Sequence, residues 1–264
     1  PKKDQSMAFS FQNLCATSAI GLGIFASTLA PLPALALDAK QKTEVEQIIR
    51  DYLLANPELM VEVQQALEAK QKSAAAEKAA KALKENADTI FMSKNQGTIG
   101  NAKGDITVVE FFDYNCGFCQ RAMNDMITIL KSDDQVKFVM KELPILSQAS
   151  VDASRISTAV YRLAPDKYAE FHNRLLGQQG PKDGNRAKQV VKEMGLDVAA
   201  IEKEAAKEDV LDAFREANDL ATKLGINGTP SYVIGDEVVF GALGADVLKQ
   251  KIANVRKCGS TQCG

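Results

Sequence analysis

"ITVVEFFDYNCGFCQRA" (Ile106–Ala122) decides how this chain is read. Its first nine residues are a greasy run of the kind that forms a buried strand. Two cysteines, Cys116 and Cys119, follow, and residues from Cys116 to about Lys131 have a helical pattern. A thiol pair at a strand-to-helix turn fits a structural disulfide, half of a metal site or a reacting redox pair. A disulfide needs Cα atoms about 4.4–6.8 Å apart, which residues three apart in a first helical turn satisfy. The N-terminal sulfur then stays exposed among unpaired backbone N–H groups, at the positive end of the helix dipole. This predicts that Cys116 is the more acidic thiol and Cys119 the shielded, resolving one.

The compartment changes what a cysteine means. Lys2 and Lys3 precede "ATSAIGLGIFASTLAPLPALA", and Ala34 and Ala36 match the small-residue pattern of a signal-peptidase site. Residues 1–36 are therefore expected to be a signal peptide cleaved after Ala36, with the mature chain in the periplasm. The apolar part is too short and too rich in Gly, Ser and Thr for a membrane anchor, and no other stretch is expected to span a bilayer. The mature chain keeps Cys116, Cys119, Cys258 and Cys263, an even number that favours two disulfides. A net charge of −2 with interspersed Lys and Glu argues against a nucleic-acid surface or a polybasic membrane patch.

Residues 37–94 read as helix. Thr43 and Glu46 are expected to form a capping box, with Val45, Ile48, Ile49, Tyr52 and Leu53 on one face. Asn56-Pro57 is expected to end that helix and open the next. "KQKSAAAEKAAKALK" (Lys70–Lys84) is a strong helix former with almost nothing large to bury. Such helices pack either on the following domain or on copies of themselves. "NQGTIGNAKGD" (Asn95–Asp105) reads as a glycine-bearing connector. Beyond the opening strand and helix, Val136–Leu143 forms a second strand, residues of about 150–223 a helical block, "SYVIGDEVVFG" a hairpin and Asp246–Lys257 a closing helix. The order predicts one α/β domain, residues 95–264, with a helical insertion.

Two further features bear on chemistry. Glu110 interrupts "VVEFF", where a buried carboxylate is costly without a purpose. It shares a strand face with Val108 and Phe112, which suits either proton exchange with Cys119 or an ion pair with Lys141 in the next strand. In "GINGTPSYVIG" (Gly225–Gly235), Thr229-Pro230 stands directly before a strand, where proline cannot donate to the ladder.

With the CxxC, the "GTP" step and the helical block in this order, residues of about 105–257 resemble the DsbA family, thioredoxin-fold thiol-disulfide oxidoreductases of the bacterial periplasm. The resemblance implies a thioredoxin fold with an inserted helical domain, preceded by an N-terminal helical stalk. It implies Cys116 as nucleophile, Cys119 as its buried partner, Glu110 as proton-relay residue and Lys141 as its neighbour. Thr229 and Pro230 match the family's cis-proline loop, whose backbone pairs with an extended substrate segment, with Gly117 and Phe118 beside it. The implied partners are unfolded or misoxidised exported proteins and a membrane redox protein that resets the pair; no cofactor is implied. Gly117-Phe118 and Thr229 stand where the strongest oxidants have Pro-His and valine, which implies a milder oxidant. "IIRDYLLANPELMVEVQQALE" resembles the oligomerisation segment of ScsC-type relatives, which implies self-association of residues 37–94, as a homotrimer.

Two rival readings remain. A four-cysteine zinc site is disfavoured because nothing places Cys258 and Cys263 beside Cys116; those two are expected to close a short structural disulfide, and no metal is assigned. A periplasmic Cu(I)-binding or copper-resistance protein would use the same two thiolates, which suit a soft metal. His172, in "AEFHNRLL", reads as an ordinary helix-face residue.

Overall fold

A computed structural model describes residues 37–263, so the signal-peptide expectation for residues 1–36 lies outside the described residues. The described chain divides between Met60 and Val61 into two compact units.

The first unit holds α1 (Ala39–Ala55) and the start of α2 (Glu58–Glu85). The capping box of α1 is Asp38 with Gln41, not Thr43 with Glu46. The helix begins a turn earlier than expected, so Thr43 donates its hydroxyl to Ala39 O (3.1 Å) inside it. Asn56 likewise serves the end of α1 rather than the start of α2, its side-chain amide donating to Tyr52 O at 2.8 Å. No residue of α1 is buried, and Ile48, Ile49, Tyr52 and Leu54 stand open to solvent.

The second unit begins within α2, whose Ala82 and Leu83 are buried, and α3 (Ala87–Met92) adds Ile90. The last turns before residue 94 therefore belong to this unit's core. The expected connector contains a strand, β1 (Gly97–Gly100). Its two glycines hide it from propensity, yet both are required. A Cβ at Gly97 would run into the Tyr168 ring, and Gly100 has φ +94° against Leu130.

The other strands are β2 (Ile106–Phe112), β3 (Val136–Glu142), β4 (Ser231–Ile234) and β5 (Glu237–Phe240). They form one mixed sheet in the order β1-β3-β2-β4-β5, with β2 and β3 parallel and the other pairs antiparallel. Between β2 and β3 runs α4 (Gly117–Ser132). Between β3 and β4 come α5 (Gln148–Leu163), α6 (Pro165–Leu176), α7 (Gly184–Glu193), α8 (Val198–Ala205) and α9 (Leu211–Leu224), and α10 (Ala245–Cys258) closes the fold. This is a thioredoxin fold carrying a helical insertion, preceded by helices.

Strand alternation builds two cores. Val108, Phe112, Phe138, Met140, Tyr232 and Ile234 meet α4, α10 and the insertion on one face. Val109, Phe111, Val139 and Val233 meet α9, Ile90 and Leu83 on the other. The sheet face on which a residue falls decides which chemistry it can join.

Candidate active site

The loop that presents the thiols is held from beneath. The buried Asp113 carboxylate accepts the N–H of Asn115 (2.8 Å) and of Leu146 (3.0 Å), and its carbonyl accepts the Cys116 N–H (3.0 Å). Asn115 clamps the insertion. Its side-chain oxygen accepts the Lys182 N–H and its amide donates to Lys182 O, both at 2.8 Å, with a further bond to Ser150 Oγ at 3.1 Å. Gln120 adds a bond to Gly177 O at 3.0 Å. Sequence reasoning missed this clamp. Its only signal was the density of short polar side chains in "DYN", because the partners lie 33 to 67 residues away.

Cys116 is the N-cap of α4 and Cys119 lies in its first turn; both are free thiols. The Cys119 thiol, hydrogen-bonded to Cys116, lowers the Cys116 pKa to about 5 against the upward push of partial burial, and the Thr229 side chain and the N–H groups of Cys119 and Phe118 help. Burial pushes the Cys119 thiol far up, and the Cys116 and Glu110 charges push the same way. The pair is thus asymmetric in acidity rather than plainly in exposure: Cys116 keeps only 7% of its surface, against the exposed sulfur expected, and Cys119 keeps none.

Glu110 lies on the Cys119 side of the sheet. Burial, followed by the charges of Asp125 and Cys116, raises its pKa to about 8. Lys141 is not its neighbour. The parallel register sets Lys141 opposite Phe111 and Met140 opposite Glu110, so the lysine points to the other face. There it donates to Thr89 O (2.7 Å) and pairs with Glu216 of α9 (2.6 Å). A slip of one residue moves a side chain through the sheet, and no strand pattern reveals the partner's register.

Thr229-Pro230 is a cis peptide, and the Thr229 carbonyl lies 3.1 Å from Cys116 Sγ as acceptor of its S–H. Gly117 has open space where a side chain would sit, and Phe118 is 57% exposed, with Arg121 stacked on its ring at 4.3 Å. The structure thus brings Cys116, Cys119, Gly117, Phe118, Thr229, Pro230 and Glu110 together and leaves out Lys141. Cys258 and Cys263 are joined as a disulfide, with Cα atoms 6.0 Å apart, so neither sulfur is free to complete a four-cysteine zinc site.

His172 is buried rather than a helix-face residue, packed edge-on to Phe112 at 4.8 Å, and burial drops its pKa to about 3. Beside it Tyr114 OH lies 2.7 Å from Ser157 Oγ, and burial raises the nearby Glu142 to about 8, with Ser154 and Ser157 opposing.

A thioredoxin fold with an acidic thiol at a helix cap, a second thiol sealed one turn inside and a cis-proline loop in contact defines the class of thiol-disulfide oxidoreductases. Within it, residues 107–253 match the model of the DSBA-like thioredoxin domain, and the chain belongs to that family. Residues 41–74 match the copper resistance protein ScsC N-terminal domain. The chain is 36% identical to a thioredoxin-like oxidoreductase from Silicibacter pomeroyi, with a TM-score of 0.62, covering 65% of this chain and 98% of that one. Proteus mirabilis ScsC in a transitional conformation is 30% identical with a TM-score of 0.61, covering 83% and 96%. Disulfide bond formation protein D of Bacillus subtilis is 26% identical over 172 residues, 60% of this chain and 76% of that protein.

Proposed function

We propose that this is a periplasmic enzyme that reshuffles disulfides in exported proteins at least as well as it introduces them. The observation that carries this reading is the asymmetric thiol pair against the cis-proline loop: an acidic Cys116 touching the Thr229 carbonyl, with Cys119 sealed beneath. Cys116 thiolate attacks one sulfur of a substrate disulfide. That S–S bond breaks, a substrate thiolate leaves and a mixed disulfide forms. If the freed substrate thiolate attacks a second disulfide of the same substrate, the thiolate displaced there attacks the mixed disulfide and releases Cys116 reduced, with no electrons gained or lost overall. If Cys119 attacks Cys116 Sγ instead, the substrate leaves reduced and the enzyme holds the disulfide; oxidation is the reverse of these two steps.

Glu110 is the proton acceptor for Cys119. Burial and the Asp125 charge hold it protonated, and the Cys116 thiolate adds to this. The mixed disulfide removes that last charge, so Glu110 ionises more readily when Cys119 must lose its proton. Thr229 and Pro230 offer backbone to an extended substrate, and the bare surface at Gly117 with the exposed Phe118 ring receives its apolar side chains. A membrane redox protein resets the pair. A Cys116 pKa of about 5 falls between the ~7 of thioredoxin and the ~3.5 of DsbA, in keeping with a milder oxidant.

Residues 37 to about 80 are the oligomerisation stalk of a homotrimer. Supporting this, Ile48, Ile49, Tyr52, Leu54, Met60, Val61, Val63 and Leu67 are all exposed on α1 and α2, more apolar surface than a lone helical segment keeps in water. Several active sites on one assembly raise the effective concentration for the second exchange. The test removes residues 37–70, upstream of the buried Ala82 and Leu83. The product should be a monomer by light scattering, with refolding of a scrambled multi-disulfide protein reduced far more than oxidation of a simple dithiol. A monomeric parent chain, or isomerisation untouched by the deletion, overturns the reading.

The match of residues 41–74 to the copper resistance protein ScsC N-terminal domain favours one second reading, a Cu(I) carrier using the two thiolates. Copper retained after reduction and desalting, without turnover of a scrambled substrate, would establish it.

A further inference from the structure

One buried polar group of the thiol-bearing face has no part in the mechanism above. Tyr232 lies in β4, two residues beyond the cis-proline, and is 1% exposed. Its hydroxyl has no hydrogen-bond partner within the protein. The antiparallel register sets Tyr232 directly opposite Glu110, which places both side chains on the same sheet face. Glu110 has the matching defect, since its Oε2 is buried and also unpartnered. Two orphaned polar groups thus occupy facing positions on neighbouring strands, beside Cys119.

A buried hydroxyl left without a partner costs about 1–3 kcal/mol, and phenylalanine would fill the same space without that cost. The surroundings offer no alternative partner. Val239 stands opposite Tyr232 on β5, Met140 opposite Glu110 on β3, and α10 adds Leu248 and Ile252. The titratable groups facing the pair are Cys119 and Asp125 of α4 and Cys116 at its cap. Burial first, and then the charges of Glu110, Cys119, Asp125 and Cys116, keep the phenol protonated, so it acts as a donor.

We propose that Tyr232 is a positioning residue for proton transfer: its hydroxyl and the Glu110 carboxyl hold one bridging water, and the proton of Cys119 passes to Glu110 across that bridge. This deepens, and rests on, the reading of Glu110 as proton acceptor. In the step concerned, the S–H bond of Cys119 breaks and its proton moves through the water to the Glu110 carboxylate. Cys119 sulfur then bonds to Cys116 Sγ as the mixed disulfide's S–S bond breaks and its electron pair leaves with the departing thiolate. The phenol donates to the water and so stabilises the carboxylate. The same strand therefore carries the substrate loop at Thr229 and the proton site at Tyr232, one for each thiol.

Reaction of the reduced, full mature chain with 5,5′-dithiobis(2-nitrobenzoate) separates the two steps. The first release of coloured thiolate reports attack by Cys116, and the second reports resolution by Cys119. Tyr232→Phe should leave the first phase unchanged, slow the second about tenfold and move its pH midpoint up by about one unit. Glu110→Gln should slow the second phase and flatten its pH profile. A normal second phase in Tyr232→Phe with a slow one in Glu110→Gln overturns this proposal and leaves the Glu110 role intact. A normal second phase in Glu110→Gln overturns the Glu110 reading itself. Slowing of both phases in Tyr232→Phe would assign Tyr232 to shaping the cis-proline loop, which also overturns the proposal.

Discussion

Two cysteine pairs stand at opposite ends of two helices, and the contrast bears on how each can react. Cys116 caps the N-terminus of α4, where unpaired N–H groups and the positive end of the dipole receive a thiolate. Cys258 is the last residue of α10, at the negative end of its dipole. The helix end at Cys258 thus lacks the unpaired N–H groups that face Cys116. Both pairs are close in sequence.

The largest expected effect lies at the first pair. Cys116→Ser should reduce thiol-disulfide exchange by at least about a thousandfold, because the remaining thiol of the site, Cys119, is buried and held protonated. Replacing Cys258 and Cys263 with serine should leave exchange within about twofold. An equal loss in both variants would break the comparison.

Labelling sharpens it next. With all four thiols reduced, iodoacetamide should modify Cys116 with a midpoint near pH 5, about a hundredfold faster than Cys119 at neutral pH. Mass spectrometry of the labelled peptides reads all four.

The buried carboxyl beneath the first pair gives the next effect. Glu110 titrates at 4.5 when unfolded and at about 8 in the fold, so between those values the unfolded chain releases a proton that the native state keeps. Stability therefore falls as pH rises through that window, by up to ~3 kcal/mol at pH 7. Glu142 acts in the same direction. Urea midpoints at pH 5 and pH 8 should show a clearly smaller decline in Glu110→Gln than in the parent chain. An identical decline would mean that Glu110 is not held neutral.

Loss of the tail disulfide is the smallest. It closes a loop across five positions, and its removal should cost about 2 kcal/mol or less, read as a modest fall in thermal midpoint with exchange activity retained.

Much of this site was written locally. Cys116, Cys119, Gly117 and Phe118 are consecutive or nearly so, and a strand followed by a helix start is enough to place one thiol at the helix cap and the other a turn inside, though not to foresee that Cys116 is nearly buried as well. Thr229-Pro230 stands out as a proline directly before a strand, but its part in the site was implied only by the resemblance to the family's cis-proline loop. The opening strand, the active-site helix and the closing helix followed from hydrophobic period. β1 did not, because its glycines answer to Tyr168 and Leu130, not to strand propensity.

By itself, then, the sequence placed what depends on neighbours along the chain: a thiol pair at a strand-to-helix turn, a proline directly before a strand, the α/β order and the helical character of residues 37–94. Only the tertiary structure decided what depends on register and on distant partners. It sent Lys141 to Glu216 on the far side of the sheet, set Tyr232 across from Glu110 and tied Asn115 to Lys182. The physical reason is the two-residue period of a strand. It tells which side chains share a face, but the face itself, and what waits there, is chosen when strands pair and helices pack.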